Sequence, residues 1–474
     1  MTSSPWRWPG RWLEPARFQL VARLACVLPT LVFLAIYVPL AGHGFLSDDF
    51  RWVLNSHLER FSDVFRLFRI TDGFYRPLVS LTFGLDRLLF GINPRPYGWT
   101  NVGLVLVAAL LIRQLAIVLG LSKGAGTLAA SLWFLNFHAI NQSILWVSGR
   151  TSLLVACAAV ACAIFAVQRR LLLAVTFLAL AFFSKEEAFT LPVVLTAWLA
   201  ILSRGGLGQD DTASRVRTMA MWLLGSAVVV AVYLALRSQT GAMTPATAPG
   251  YYQFTFTPAV VLRNALEYAD RAATTSAIAV LLGLLLLWPK GVRLDPLQRR
   301  IVLCAALWLV GGYGMTLFLP VRSSLYAIVP SIGACLAASA VLSASWQSAD
   351  MPHRFRALCG AILLPMCLIP VYLARTASVP LADFSTQVLR DIRDETRDIL
   401  DAATIVVIDD RSTKINVTSA FGTLLNDAVL LTTGRRLNMW IEPQTPGTEG
   451  ARPPCESCIA LRLRVVNGRL VPIG

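Results

Sequence analysis

Residues 20–40, LVARLACVLPTLVFLAIYVPL, decide the fold, and the next ten residues, AGHGFLSDDF, carry the first sign of chemistry. The apolar run is long enough to cross a bilayer whose hydrocarbon core is roughly 30 Å thick. Four arginines precede the run or lie at its start: Arg7, Arg11, Arg17 and Arg23. Because an arginine-rich flank stays in the cytoplasm, Asp48 and Asp49 should emerge on the opposite face, close to the lipid surface.

The composition is that of a chain dissolved mostly in lipid. Of its 474 residues, 56% are hydrophobic and 15% are charged, against roughly 25% charged residues in soluble domains. The formal net charge is +15, but the basic residues fall between apolar segments and form no single stripe or tail. That distribution is typical of topology signals and argues against nucleic acid as a partner.

Apolar runs recur along the chain at about residues 20–40, 99–120, 126–142, 151–167, 171–184, 188–203, 218–236, 272–288, 301–319, 325–346 and 357–374. If all of them cross, every cytoplasmic connection is basic, through Lys123, Arg169 with Arg170, Arg204 with Arg215 and Arg217, Lys290 with Arg293, Arg299 and Arg300, and Arg354 with Arg356. The positive-inside rule then predicts a polytopic α-helical membrane protein with about 11 transmembrane helices. Its N-terminus lies in the cytoplasm and its C-terminus outside.

The chain divides into a membrane domain, residues 1–375, and a small C-terminal α/β extracytoplasmic domain, residues 376–474. Charges alternate at helical spacing over Asp383–Asp401. A helix is predicted over Ile415–Leu431, and strands over Thr404–Asp409, Met439–Ile441, Ile459–Val466 and Leu470–Ile473. About 95 residues suffice for one small domain. The excess of arginine over the four lysines indicates a GC-rich bacterial genome, so we expect the inner membrane, with this domain in the periplasm.

Two extracytoplasmic loops and one cysteine pair stand out. The first loop, residues 41–98, has apolar residues at helical spacing and predicts helices lying in the membrane interface. The loop at about 237–271 contains Tyr251, Tyr252 and several prolines, and predicts a mobile flap over a site. Cys455 and Cys458 form a C-x-x-C in the tail; outside the cytoplasm it favours a disulfide, with a metal half-site or a redox pair as alternatives.

Charged residues at the ends of apolar helices are the candidates for chemistry, since charges near membrane depth cost several kcal/mol. The acidic candidates are Asp48 and Asp49. Three cations lie at the same predicted face: Arg150, Lys185 and Arg322. Helix capping, snorkelling and interhelical ion pairs are the structural alternatives. Gathered cations suit an anionic lipid headgroup, especially a phosphate or pyrophosphate that leaves in a reaction, and one of the two aspartates would then be the general base.

Other residues share that predicted side. Tyr75, Arg76 and Glu186 are further candidates for contacts with a substrate. His138 joins them, although a lone histidine on an apolar helix is more often a hydrogen-bonded packing residue. The four histidines, His43, His57, His138 and His353, form no cluster that predicts a metal site.

Several short motifs occur together in a fixed order: Phe45-Leu46-Ser47-Asp48-Asp49-Phe50, Tyr75-Arg76-Pro77-Leu78, His138-Ala139-Ile140, Ser148-Gly149-Arg150, Ser184-Lys185-Glu186, and Arg322 with Tyr326, Pro330, Ser331 and Gly333. In this order the chain resembles the GT-C glycosyltransferases over about residues 20–345. It is most similar to the transmembrane O-mannosyltransferases that carry tetratricopeptide repeats, and to their bacterial relatives.

The resemblance implies a polytopic enzyme that uses a polyprenyl-phosphate-linked sugar as co-substrate and glycosylates an extracytoplasmic protein, lipid or glycan. It implies Asp48 as the base with Asp49 orienting or assisting it. Lys185, Arg150 and Arg322 match positions expected to handle the lipid phosphate. Glu186, Tyr326, Tyr75, Arg76 and His138 belong to the same motifs, as substrate-binding residues.

The chain departs from this family at identifiable positions. Asn141 and Ser143 stand where those relatives tend to have a second histidine and a glutamate, and Val321 replaces an acidic residue before the arginine. No repeat array follows the membrane part. These departures bear on the acceptor and on any divalent metal. The alternative hypothesis from another class is a transporter or flippase of a lipid-linked anion, in which the cations bind headgroups and the carboxylates couple protons.

Overall fold

The computed structural model describes residues 15–69, 73–203, 212–244, 246–289, 291–373, 377–443 and 458–473. Its α-helices are α1 (Pro15–Leu40), α2 (Asp48–Asn55), α3 (Asp63–Leu67), α4 (Pro77–Phe90), α5 (Pro94–Val118), α6 (Lys123–Phe134), α7 (Phe137–Leu145), α8 (Arg150–Val167), α9 (Leu171–Phe182), α10 (Leu191–Ser203), α11 (Thr212–Ser238), α12 (Pro258–Leu287), α13 (Pro296–Gly312), α14 (Ile328–Ser348), α15 (Met351–Leu373), α16 (Ser378–Glu395), α17 (Val417–Phe421) and α18 (Leu425–Thr433). The strands are β1 (Thr404–Asp409), β2 (Asn438–Pro443), β3 (Ile459–Val466) and β4 (Arg469–Ile473).

Seven helices in the described ranges are long and apolar enough to cross a membrane: Pro94–Val118, Val147–Val167, Glu186–Ser203, Thr212–Ser238, Pro258–Leu287, Ser324–Ser348 and Met351–Pro370. Two shorter apolar helices are Leu24–Leu40 and Leu171–Phe182. Helices suit lipid because they satisfy every backbone polar group within the segment. A helical membrane protein is therefore confirmed at this level, while the figure of about 11 spans stays a prediction.

One predicted run, residues 126–142, forms two helices, α6 and α7, that meet at Asn136. The Asn136 side chain donates to the carbonyl oxygens of Arg271 (3.0 Å) and Ala272 (3.3 Å) on α12. Thr275 donates to its side-chain oxygen at 3.1 Å. These bonds fix the junction of α6 and α7 against α12.

The centre of the bundle is formed by the spans that contain α8 and α14. In each of these two spans 83% of the apolar stretch is buried. In Met351–Pro370 the buried share is 11%, so this helix lies at the periphery. The backbones of α14 and α13 touch at Gly333. A Cβ added there would lie 2.3 Å from the carbonyl oxygen of Ala305, so only glycine fits. Small residues allow such close approach between apolar helices.

The first loop contains α2, α3 and α4, as the predicted helical spacing requires. Phe61 and Phe65 are exposed and contact each other edge to face, whereas Leu67 is buried. The segment predicted as a flap lies between α11 and α12. Its backbone bonds to the rest of the fold, with Met243 N donating to Gly73 O at 2.8 Å and Val321 N donating to Tyr251 O at 3.2 Å.

Residues 377–443 and 458–473 form what we call the C-terminal unit. Its four strands run in the order β2-β1-β3-β4, with β1 parallel to β2 and β3, and β4 antiparallel to β3. Along β1, Ile405 and Val407 pack in one apolar cluster with α16, α17 and α18, and Val406 points to the other face. This alternation is the period of two that strands impose. The boundary predicted at residue 375 falls outside the described residues.

The tail differs from the sequence prediction in its helices, and one member of its cysteine pair is described. The helix predicted over Ile415–Leu431 is wrong as a single element, because the chain forms α17 and α18 and turns between them at Gly422, where φ is +56°. Glycine adopts this conformation readily and ends helices. Cys458 is disulfide-bonded, whereas Cys455, its predicted partner, lies outside the described residues.

The C-terminal unit packs directly on the first loop. Phe45, Phe50 and Val53 belong to the same buried apolar cluster as Phe421 and Val429. The loop that carries the two candidate aspartates is therefore enclosed between the helical bundle and the C-terminal unit.

Candidate active site

One cavity of about 850 Å³ brings together residues from distant parts of the chain. Six of the ten predicted site residues line it: Asp48, Arg76, Lys185, Glu186, Arg322 and Tyr326. Ligand sites typically measure about 300–1,000 Å³. The cavity is therefore large enough for a bulky polar group and a reaction partner together.

Asp48 is the first residue of α2 and is exposed to the cavity. Its carboxylate accepts no hydrogen bond from any residue in the ranges that the structure covers. Burial by the surrounding walls raises the pKa of Asp48 above its ordinary value, while Arg76 and Arg51 oppose part of that rise. A solvent-facing carboxylate with open lone pairs and a raised pKa is suited to accept a proton.

Asp49 points the other way. Its side chain is fully buried and accepts bonds from the backbone N–H of Leu46 (2.9 Å), the backbone N–H of Ser148 (2.6 Å) and the Ser148 hydroxyl. Burial raises the pKa of Asp49 to about 7, against the effect of these bonds. Asp49 does not line the cavity, and its bonds join the start of α2 to Leu46 and Ser148.

Glu186 lies between two arginines. Arg76 donates to Glu186 Oε2 from Nη2 at 2.7 Å and from Nε at 3.1 Å, and Arg237 Nη1 donates to Oε1 at 3.1 Å. Arg237 also donates to the Tyr233 hydroxyl (2.9 Å). Two cations share one anion here, so this group keeps an excess positive charge at the cavity wall.

Lys185 is held by a different carboxylate. Its Nζ lies 2.5 Å from Glu187 Oε1 and 2.7 Å from the Ser152 hydroxyl, and it sits 4.8 Å from the centre of the Tyr326 ring. Lys185 is 5% exposed and Glu187 is 7% exposed, which makes this a buried ion pair. The positive charge of Lys185 is therefore largely compensated within the protein.

Arg322 belongs to a third group, centred on Glu267. Arg322 pairs with Glu267 Oε1, Arg263 Nε also pairs with Oε1 (2.9 Å), and Arg271 Nη2 lies 3.2 Å from Oε2. Three guanidinium groups face one carboxylate. Glu267 and Arg322 are both about 30% exposed, so this is an accessible region of net positive charge beside the cavity.

Besides Asp49, three predicted residues lie outside the cavity lining, and the structure corrects their expected placement. Arg150 is fully buried and donates to Asn101 Oδ1 (2.9 Å) and to Asp86, because a guanidinium inside a bundle requires a carboxylate. Tyr75 is a buried packing residue whose ring contacts aromatic neighbours. His138 lies 3.4 Å from Asp270 at a half-buried position.

Sequence reasoning missed several cavity residues. Glu187 and Arg237 could have been found by the rule that selected Arg322. Each is a charged residue at the predicted extracytoplasmic end of an apolar helix. Gln142 lies between the two departures from the family pattern, Asn141 and Ser143, and it lines the cavity. Its Oε1 accepts from the Ser323 hydroxyl and from Ser324 N, both at 3.1 Å, which fastens the segment next to Arg322. Tyr252, from the predicted flap, also lines the cavity.

Comparisons with known proteins assign no family. No protein-family model matches the chain, and no curated protein matches it. Within the described ranges, no group of three or more His, Cys, Asp or Glu residues is placed to hold a metal ion.

The Lys185–Glu187 pair generates a stability prediction. Replacing Glu187 by alanine leaves the buried Lys185 ammonium uncompensated, and breaking such a pair costs about 3–5 kcal/mol. We expect the lower end of that range because Ser152 still accepts from Lys185. Thermal unfolding of the detergent-purified protein measures the effect.

The matched control is the double variant Lys185→Met with Glu187→Leu, which removes both charges and keeps the volume. It should unfold at a higher temperature than Glu187→Ala. Equal unfolding temperatures for the two variants would show that the ion pair does not compensate a buried charge.

Proposed function

We propose that this protein is an integral membrane glycosyltransferase, which moves a sugar from a polyprenyl-phosphate carrier to an acceptor hydroxyl outside the cytoplasm. The observation that carries the proposal is the composition of the cavity wall. Asp48 stands free of protein partners in the described residues. Arginines that outnumber their glutamate partners line the same cavity, in the groups around Glu186 and Glu267. A base and an anion site in one cavity match a reaction that deprotonates a hydroxyl and releases a phosphate.

The proposed orientation follows from the first span and its flank. The arginine-rich N-terminus lies in the cytoplasm, so the cavity, the first loop and the C-terminal unit lie on the periplasmic side of a bacterial inner membrane. A lipid carrier delivers an activated sugar to that side. The acceptor is a protein, lipid or glycan that presents a hydroxyl there.

The proposed reaction is a direct displacement. Asp48 takes the proton of the acceptor hydroxyl as its oxygen attacks the anomeric carbon, and the bond from that carbon to the phosphate oxygen breaks. The phosphate leaves with the electron pair of that bond, through an oxocarbenium-like transition state. One displacement inverts the anomeric configuration. Asp49 acts indirectly, by fixing the start of α2 to Ser148.

The distribution of charge supports one cation as the binding partner of the phosphate. Lys185 is compensated by Glu187, and Arg150 is bound to Asp86 away from the cavity. Arg322 lines the cavity and belongs to the Glu267 group, where the positive excess is largest. We assign the leaving phosphate to Arg322, with the Arg76–Glu186–Arg237 group adding positive potential. Stabilising charge as it develops on the leaving group accelerates the chemical step.

The first test replaces Asp48 by asparagine, which keeps the shape and removes the base. We expect release of free polyprenyl phosphate to fall at least about 100-fold, measured in nanodiscs with a panel of lipid-linked sugars and candidate acceptors. Asp63→Asn, on the same loop but outside the cavity lining, is the control and should retain activity.

Full activity of Asp48→Asn would contradict the assignment of the base. Tight binding of a lipid-linked sugar without turnover, followed by flux of that lipid across proteoliposomes, would favour the transporter alternative.

The raised pKa of Asp48 predicts a pH dependence. A base must be ionised, so kcat/KM falls as the pH drops through this pKa, at a higher pH than the ordinary value of 3.8 implies. Asp49 and Tyr252 also interact with Asp48 electrostatically, and Arg51 and Arg76 lower its pKa.

Removing one of these cations, in Arg76→Gln, should therefore move the acid limb to higher pH. Profiles of kcat/KM from about pH 4 to 8 measure the shift, with Arg60→Gln, an exposed arginine of the first loop, as the control. A limb that moves to lower pH would exclude Asp48 as the titrating base.

Arg322 and Arg263 make a matched pair, because both contact Glu267 Oε1 but only Arg322 lines the cavity. Arg322→Gln should raise the donor KM about tenfold, which corresponds to roughly 1.4 kcal/mol, and should also lower kcat. Arg322→Lys, which keeps the charge, should recover part of the loss. An equal effect of Arg263→Gln would show that the cluster acts through general charge and not through contact with the donor.

A further inference from the structure

The residue before Asp48 has an unusual backbone conformation. Ser47, the N-cap of α2, has φ of +44° and ψ of −117°, and residues other than glycine rarely adopt positive φ. Its side chain makes no capping bond to the helix. Such a conformation persists only where surrounding contacts determine it. Because Ser47 precedes the first helical residue, its conformation sets the direction in which Asp48 points.

The contact that holds Ser47 comes from the C-terminal unit. Ser47 N donates to the carbonyl oxygen of Ala420, on α17, at 2.8 Å. Next to it, the Phe421 ring stacks on Phe50 of α2, with centroids 5.5 Å apart and planes inclined by 22°. Ala420, Phe421 and Phe50 are all fully or almost fully buried, so these contacts are shielded from water.

Three further contacts join the C-terminal unit to the same stretch. The Ser385 hydroxyl, on α16, donates to Phe45 O at 2.8 Å. A Cβ added at Gly44 would lie 2.3 Å from the Ala382 carbonyl oxygen, so the two backbones touch. At the other end, Arg51 Nε lies 3.0 Å from Asp427 Oδ2 on α18. The three helices of the C-terminal unit therefore contact residues 44–51 from end to end.

The helical bundle holds the opposite side of this stretch. Trp146 Nε1 donates to Leu46 O at 3.2 Å, and Ser148 N donates to Asp49. The Asp48 side chain, directed into the cavity, is left free between these two sets of contacts. We propose that the C-terminal unit is a positioning element of the active site, which holds residues 44–51 in the conformation that presents Asp48 to the substrate.

This inference rests on the proposed function for its catalytic half, and its structural half can be measured separately. The interface variants are Phe421→Ala, which removes the stacked ring, and Gly44→Ala, which drives a methyl group into the Ala382 backbone. The control is Val406→Ala, a fully buried change in the same unit that lies outside the interface cluster. All variants are made in the full chain in nanodiscs.

Two readouts are taken on each protein. Hydrogen exchange of peptides from residues 43–55 should accelerate at least tenfold in both interface variants and stay unchanged in Val406→Ala. In the same two variants kcat should fall about tenfold to 100-fold, because small displacements of a reacting group have effects of this size. The donor KM should change less than twofold, since Arg322 is untouched.

A rescue separates positioning from simple loss of stability. Glycine adopts positive φ at little cost, so Ser47→Gly added to Phe421→Ala should recover part of kcat without repairing the C-terminal unit. A similar loss of kcat in Val406→Ala, or no rescue by Ser47→Gly, would overturn the positioning role.

The outcomes also separate this inference from the proposed function. If Asp48→Asn is inactive but both interface variants keep wild-type kcat and exchange, the positioning role is overturned and the proposed function stands. If the wild type transfers no sugar, the proposed function fails. Hydrogen exchange alone then tests the structural role of the C-terminal unit. Faster exchange in the two interface variants supports that role, and unchanged exchange overturns it.

Discussion

The structure depends on one electrostatic constraint: a charge at the end of an apolar helix must be compensated where water is scarce. Glu186 meets this requirement with Arg76 of the first loop and Arg237 of α11. Glu187 meets it with the nearby Lys185, whose ammonium also donates to Ser152 on α8. Among the carboxylates that line the cavity, in the part of the chain that the structure covers, Asp48 alone lacks such a partner. The same rule that stabilises the bundle therefore singles out the group best suited to chemistry.

The arginines show how one residue type divides between structure and function. Arg150 is enclosed by Asp86, Asn101 and the Phe83 ring, and its charge stabilises the packing between α4, α5 and α8. Arg322 has the same charge and occurs in a comparable sequence context, yet it shares its carboxylate with two other arginines and faces the cavity. What separates the two roles is the local balance of charge, which depends on neighbours that are far away in the sequence.

Much of the secondary structure could be predicted from local patterns. Apolar runs become helices because lipid leaves their backbone no other partner, and the β-branched run at Thr404–Asp409 forms β1 with the predicted bounds. The misses have local causes of another kind. α6 and α7 meet at Asn136, whose side chain bonds to α12, and Gly422 ends α17 with positive φ. In both places the helix is interrupted at one residue, which the average hydropathy of the segment does not reveal.

Six of ten candidate site residues could be placed together from the sequence, because their positions at one end of apolar helices are a property of hydropathy and charge. Asp48 and Asp49 mark the limit of that reasoning. Successive residues of a helix point about 100° apart, so two adjacent aspartates must face different surroundings, and nothing in their order says which faces which. The sequence by itself determined that a carboxylate pair follows the first apolar segment. Only the tertiary structure decided that Asp49 bonds to Ser148 and that the C-terminal unit, through Ser47, turns Asp48 toward the cavity. The physical reason is that these contacts join residues up to several hundred positions apart in the chain.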